Sequence, residues 1–162
     1  MAARPALLSF LLLASVEAGA EATLPMPATG LYVDECGSCH TAYAPGYLPA
    51  ASWQRLMDGL SNHFGEDARL KAETRETLAR QLRALAMDGA NAVPGIAARN
   101  GAGWAAAAPE RITTSPFFQY MHEEIPSSFW RRPKIGKKSN CGACHPNADM
   151  GRYSEAEIYI PK

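Results

Sequence analysis

Two pentapeptides decide the fold of this chain: Cys36-Gly37-Ser38-Cys39-His40 and Cys141-Gly142-Ala143-Cys144-His145. They contain all four cysteines of the sequence. On a helical turn, positions i, i+3 and i+4 project from the same side, so the two thiols and the histidine of each pentapeptide can meet one planar group. Cys-x-x-Cys-His is the attachment signature of c-type haem. We therefore predict two covalently bound haem c groups, attached through the four cysteines, with His40 and His145 as proximal iron ligands.

Other uses of paired cysteines fit these residues less well. A zinc site of four cysteines does not require a histidine after each pair, and the separation of the two pairs is wide for a compact zinc ribbon. A thioredoxin-like redox pair needs a strand leading into the motif. A disulfide framework would not repeat this local spacing.

The remaining two histidines, His63 and His122, are candidates for the sixth coordination position of each iron. Each lies on the apolar face of a predicted helix, and one lies near each pentapeptide. Since the number of spare histidines equals the number of haems, we predict two bis-histidine, low-spin irons. Met87 is the alternative ligand for the first haem, because it lies well downstream of the motif, as the axial methionine does in class I cytochromes c.

Hydrophobic periodicity indicates a mainly α protein. Residues 53–64 carry one apolar stripe, with Ser52 as the predicted N-cap and Gly65 as the stop signal. A second helix is predicted over residues 74–87, with three leucines on its buried face. A third helix is predicted to begin at Ser115 and Pro116 and to end at Pro126.

The chain divides into four predicted segments. Residues 1–20 have the layout of a secretory signal peptide cleaved near Ala20, which predicts a periplasmic protein that is not an integral membrane protein once processed. Residues 21–90 form an N-terminal haem c lobe of class I cytochrome type, residues 91–110 an Ala/Gly-rich connection, and residues 111–162 a C-terminal haem c lobe. The formal net charge is zero, and nothing indicates nucleic-acid binding.

With these residues in view, the chain resembles the bacterial dihaem cytochrome c family, often abbreviated DHC. The resemblance is carried by residues 35–70 and 111–147, about half of the chain. Its motifs are Leu48-Pro49-Ala50, Ser52-Trp53, His63-Phe64-Gly65, His122, Ile125-Pro126, Trp130 and Arg132-Pro133. The resemblance implies low-potential, low-spin haems with His40 and His145 as proximal ligands and His63 and His122 as distal ligands. It also implies a membrane cytochrome b and a small oxygen-binding monohaem cytochrome c as redox partners.

The expected function is electron transport by an iron-containing carrier that is not an enzyme. The alternative is a haem enzyme or gas-binding protein in which one haem is five-coordinate, and carbon monoxide binding distinguishes the two. Five basic residues and no acid precede the second motif: Arg131, Arg132, Lys134, Lys137 and Lys138. This run predicts either a solvated loop or a docking surface for an acidic redox partner.

Overall fold

The computed structural model describes residues 24–27, 30–93 and 95–162. That part of the chain contains five α-helices, seven short 3-10 helices and no strand. The α-helices are α1 (Leu31–Cys36), α2 (Ala50–Asp58), α3 (Ala72–Leu85), α4 (Ile96–Ala106) and α5 (Pro116–Met121). The 3-10 helices are Pro45–Tyr47, Leu60–Asn62, Ile112–Thr114, Phe129–Arg131, Cys141–Ala143, Ala148–Met150 and Glu155–Glu157. The prediction of a mainly α protein is confirmed. The predicted signal peptide lies outside the described residues.

The core lies mainly between α2 and α3, which pack against each other. Leu78 and Leu82 of α3 are fully buried, as the periodicity predicts for its apolar face. Trp53 of α2 is also buried, and its Nε1 donates to the Pro45 carbonyl at 2.8 Å. The other buried members of this cluster are Tyr32, Ala42, Leu48, Met57, Leu60 and Ala86.

The prediction of one helix over residues 53–64 is wrong at both ends. Helix α2 begins at Ala50, directly after Pro49, and Ser52 therefore lies inside the helix instead of capping it. It ends at Asp58, because the backbone N–H of Gly59 donates to both the Arg55 and Leu56 carbonyls and closes the last turn. His63 consequently lies beyond α2, as the C-cap residue of the short 3-10 helix Leu60–Asn62.

The alanine- and glycine-rich segment contains helix α4, since alanine has the highest intrinsic helix propensity. Gly101 interrupts this helix with a φ of 75°, which a glycine adopts at little cost. Trp104 of α4 and Ile112 beyond it pack against the main core cluster.

Helix α5 begins where the sequence predicts. Ser115 is its N-cap, and the Ser115 hydroxyl accepts a hydrogen bond from the Phe118 backbone N–H at 2.9 Å. The helix ends at Met121 and not at Pro126, so His122 is its C-cap residue. The chain beyond α5 consists of turns and short 3-10 helices.

None of the helices in the described ranges combines the length and hydrophobicity needed to cross a bilayer.

Candidate functional site

The first pentapeptide straddles the end of α1. Cys36 is the last residue of that helix, and the backbone N–H of Gly37 donates to the Val33 carbonyl at 2.8 Å. The Ser38 hydroxyl donates to the Glu35 carbonyl at 2.9 Å and tightens the following turn. Cys39 and His40 are exposed on this turn. The local sequence therefore presents the thiols and the imidazole at one end of a helix.

The second pentapeptide begins with the 3-10 helix Cys141–Ala143. The backbone N–H of Cys144 donates to the Cys141 carbonyl at 3.1 Å, and that of His145 donates to the same carbonyl at 2.8 Å. A cavity of about 420 Å³ lies beside this turn, within the size range of cofactor sites. Its walls include Cys141, Cys144, His145 and His122, which are the four residues that the sequence assigns to the second haem.

The structure brings the four histidines together as two facing pairs. The ring centroids of His40 and His63 are 6.1 Å apart, with ring planes 21° from parallel. Those of His122 and His145 are 6.2 Å apart, with planes at 79°. Each pair combines a motif histidine with the spare histidine nearest to it in sequence.

These separations fit an iron between each pair of imidazoles. A metal–imidazole bond is about 2 Å long, and the ring centre lies about 1 Å beyond the bound nitrogen, so two imidazoles on one metal have centroids about 6 Å apart. At the second site Cys141 and Cys144 line the same cavity as His122 and His145, and at the first site Cys36 and Cys39 precede His40 in the attachment motif. The donor set present in the chain therefore fits haem c at both sites.

Hydrogen bonds to backbone carbonyls orient two of the imidazoles. His40 Nδ1 lies 2.7 Å from the Thr41 carbonyl oxygen, and His122 Nδ1 lies 2.8 Å from that of Phe118. Such bonds select the tautomer that leaves Nε2 for a metal. Burial lowers the pKa of His63 and of His122, which favours the neutral imidazole that metals bind.

The cysteines do not have the environment of a redox-active dithiol. Burial raises the pKa of the Cys36 thiol to about 11, and burial raises that of Cys141 to about 11 as well. Reactive Cys-x-x-Cys pairs have lowered pKa values, which stabilise the thiolate. In the described ranges, no three histidine, cysteine or acidic side chains converge as a metal cluster, which leaves a zinc site of four cysteines without support.

An aromatic ring lies against each of the four imidazoles. Tyr43 stacks on His40 with centroids 4.9 Å apart, and the edge of Phe64 meets His63 at the same distance. Phe118 stacks on His122 at 4.1 Å. The sequence did not single out Tyr153, whose ring lies 5.3 Å from that of His145. No local pattern marks it, because this contact depends on how the C-terminal turns fold back.

The two sites adjoin each other through Tyr43. Its ring stacks on His40 of the first site and also lines the cavity of the second. Its hydroxyl donates to the Ser139 carbonyl at 2.7 Å, two residues before Cys141. Thr41 and Gly142 also approach closely, since a Cβ placed on Gly142 would lie 3.3 Å from Thr41 Oγ1. The two attachment motifs are therefore packed against one another.

Residues 32–153 match the family model described as "Dihaem cytochrome c". The chain belongs to the dihaem cytochrome c family. The predicted family and its two covalently bound haem c groups are thereby confirmed, and this dihaem cytochrome c is a protein of the electron-carrier class. A c-type cytochrome implies an extracytoplasmic location.

Solved structures agree with this family assignment. The dihaem cytochrome is similar to a dihaem cytochrome c from Rhodobacter sphaeroides, at 35% identity over 78% of this chain and 97% of that chain, with a TM-score of 0.63. It is also similar to the dihaem cytochrome sb-DHC from Shewanella baltica OS155, at 33% identity over 84% of this chain and 95% of that chain, with a TM-score of 0.66. No curated protein sequence matches the chain significantly.

Proposed function

We propose that this dihaem cytochrome is a periplasmic electron carrier with two bis-histidine, low-spin haems. The ligand pairs are His40 with His63 and His145 with His122. The observation that supports this pairing is the pair of centroid separations, 6.1 Å and 6.2 Å, in each of which one histidine belongs to an attachment motif. Two histidines bound to each iron would leave no open coordination position for a substrate.

The residues of each site hold and orient the imidazoles. When bound, each haem c supplies a one-electron couple between ferric and ferrous iron, and imidazole ligation holds its potential below that of histidine/methionine sites. The carbonyls of Thr41 and Phe118 keep Nδ1 engaged at two of the ligands. Because Tyr43 contacts both sites, the two redox centres are neighbours, and the path between them inside the protein is short.

Carbon monoxide binding tests the ligation. His63→Ala should convert one haem to a high-spin form that binds carbon monoxide, with the other haem remaining low-spin, and His122→Ala should do the same for the second haem. The measurement is the optical spectrum of the ferrous protein with and without carbon monoxide. In the wild type the spectrum should not change on mixing, because carbon monoxide can bind only at the slow rate at which a distal histidine leaves the iron, whereas an open five-coordinate haem, as in an enzyme or gas-binding protein, would respond at once.

Methionine variants are the controls for this experiment. Met87 is buried and is the alternative ligand of the first haem, so Met87→Leu should leave both haems low-spin. Met121 adjoins His122 in sequence, and Met121→Leu should likewise have no effect. If His63→Ala leaves both haems low-spin and Met87→Leu opens one of them, the first ligand pair is wrong.

The periplasmic location rests on the amino-terminal segment and on the family. An apolar stretch behind Arg4 leads to small residues at positions 18–20, and covalent haem attachment implies a location outside the cytoplasm. Amino-terminal sequencing of the exported protein checks this, because the mature chain should begin at Glu21. A chain that retains Met1 would contradict cleavage.

We further propose redox partners with acidic docking surfaces, in line with the membrane cytochrome b and small oxygen-binding monohaem cytochrome c that the family resemblance implies. The basic run 131–138 lies beside the second site, since Lys138 Nζ is 5.6 Å from the Trp130 ring centre and that ring is 5.8 Å from His122. Lys134 and Lys137 are exposed, and neither forms an ion pair with a described residue. Four haem propionates would make the rest of the protein acidic, so this patch can orient an acidic partner.

A further inference from the structure

Phe64 has a backbone conformation that its residue type rarely adopts. Its φ is 56°, in the left-handed region, where the side chain of an L-residue crowds the backbone. The turn around it is tight: the His63 N–H donates to the Glu66 carbonyl at 2.7 Å, and the Glu66 N–H donates back to the His63 carbonyl at 3.2 Å. Gly65 follows with a φ of 104°, and its N–H donates to Asn62 Oδ1 at 3.2 Å. A glycine or asparagine at position 64 would form this turn with less strain.

Burial in the core does not explain the phenylalanine, since 48% of its surface is exposed. Its ring instead lies between two specific neighbours. Its edge meets the His63 imidazole, with centroids 4.9 Å apart and planes at 63°. The Arg111 guanidinium carbon lies 4.3 Å from the Phe64 ring centre, in a cation–π contact.

The segment that carries Arg111 is itself anchored. Arg55 of α2 forms an ion pair with Glu110 at 3.6 Å and donates to the Ala107 carbonyl at 3.3 Å. Ile112, the next residue, packs against the core cluster. Arg111 therefore approaches Phe64 from a segment that is fixed to the first lobe.

His63 has less support from hydrogen bonds than His40 and His122 have. It lies on a loop, and no hydrogen bond to its ring is formed within the described ranges, whereas His40 and His122 are held by backbone carbonyls. Residues in unfavourable backbone conformations cluster at functional sites. The conformation of Phe64 beside His63 therefore suggests that Phe64 acts on His63.

We propose that Phe64, held by Arg111, is a positioning residue that keeps the His63 imidazole in its ligating orientation. This inference rests on the proposed function, because it takes His63 as an axial ligand. The Phe64 ring limits the swing of the imidazole away from the first haem. It therefore restricts the access of external ligands to the vacated coordination position.

The variant Phe64→Gly distinguishes the positioning of His63 by the Phe64 ring from a role of residue 64 in forming the turn. Glycine accepts the left-handed φ, so the turn remains and the strain is removed, but the ring is lost. Carbon monoxide binding to the ferrous holoprotein should become faster at one haem by on the order of 10- to 100-fold, the range typical of residues that support a metal-bound histidine. Stopped-flow absorbance measures this rate. Phe64→Tyr keeps the ring and should behave as the wild type, and Arg111→Gln should give an intermediate rate.

Two further variants make the result decisive. Ala108 is the other non-glycine residue with positive φ in the described ranges, at 46°, so Ala108→Gly removes comparable strain without changing the ring on His63 and should leave the rate unchanged. Phe64→Asn replaces Phe64→Gly if the glycine variant does not assemble, because asparagine also tolerates this conformation.

The outcomes distinguish this inference from the proposed ligation. If His63→Ala opens one haem to carbon monoxide while Phe64→Gly binds it no faster than the wild type, Phe64 is only a turn residue and the inference is overturned. If His63→Ala opens neither haem, the ligation itself is wrong and the inference falls with it. A rate increase in Phe64→Gly and in Ala108→Gly alike would assign the effect to backbone strain and would also overturn it.

Discussion

Replacing Tyr43 with phenylalanine removes one hydroxyl group from the contact between the two haem sites. That hydroxyl donates to the Ser139 carbonyl at 2.7 Å, and burial raises the pKa of Tyr43 to about 12, so it stays protonated and remains a donor at ordinary pH. The Tyr43 carbonyl accepts a separate hydrogen bond from the Tyr32 hydroxyl at 2.7 Å, which the substitution does not touch. The stacking of the ring on His40 is also retained.

The size of the effect follows from the exposure of the acceptor. A neutral hydrogen bond contributes about 0.5–1.5 kcal/mol net, and more is lost only when the remaining partner is buried without water. Ser139 is exposed, so water can replace the hydroxyl at its carbonyl. We expect Tyr43→Phe to lower the free energy of unfolding by about 0.5–1 kcal/mol. Tyr43→Ala also removes the ring from His40, and for a partly buried aromatic residue we expect a loss of about 2 kcal/mol or more.

Guanidinium chloride unfolding of the holoprotein measures both values, followed by circular dichroism at 222 nm and by Soret absorbance. Coincident transitions with the two probes justify two-state treatment. Both haems should remain low-spin in Tyr43→Phe. A loss above about 2 kcal/mol in Tyr43→Phe would show that the acceptor is not accessible to water, and the reasoning would be refuted. If Tyr43→Ala costs no more than Tyr43→Phe, the ring does not support His40.

Two other predictions concern the second site. Ser115→Ala should lower the free energy of unfolding by about 1 kcal/mol, because it removes the N-cap of the helix that carries Phe118. The control, Ser154→Ala, removes only a 3.3 Å hydrogen bond from the Ala156 N–H and should lower the free energy of unfolding by less. Equal losses in the same denaturation assay would contradict the capping role. Substitution of both Lys134 and Lys137 by glutamate should slow association with an acidic redox partner about tenfold at low salt. The association rate should also depend less on salt, since attraction between charges is screened over about 10 Å at 0.1 M salt. The matched control reverses Lys71 and Arg80 near α3, and equal stopped-flow rates for the two double variants would show that the basic run is a solvated loop.

The helices show which structural features local sequence patterns predict. Ser115 and Pro116 predict the start of α5 because capping needs only a side-chain oxygen and the backbone three residues later. The apolar stripe over residues 53–64 suggests one helix, yet α2 ends at Asp58, because the stop at Gly59 outweighs the periodicity beyond it. An apolar stripe shows which residues face the core, and a turn can present the same residues as a helix does.

The sequence by itself determined that this chain carries two haem c groups, because attachment chemistry depends on thiols and a histidine within one turn. It also supplied the four histidines and the leucine face of α3. Only the tertiary structure decided that His40 faces His63, that Arg111 reaches Phe64, and that Tyr43 meets Ser139 across 96 positions of the sequence. These contacts join segments with no shared local pattern, and their geometry follows from packing of the whole core, which no spacing rule in one segment encodes.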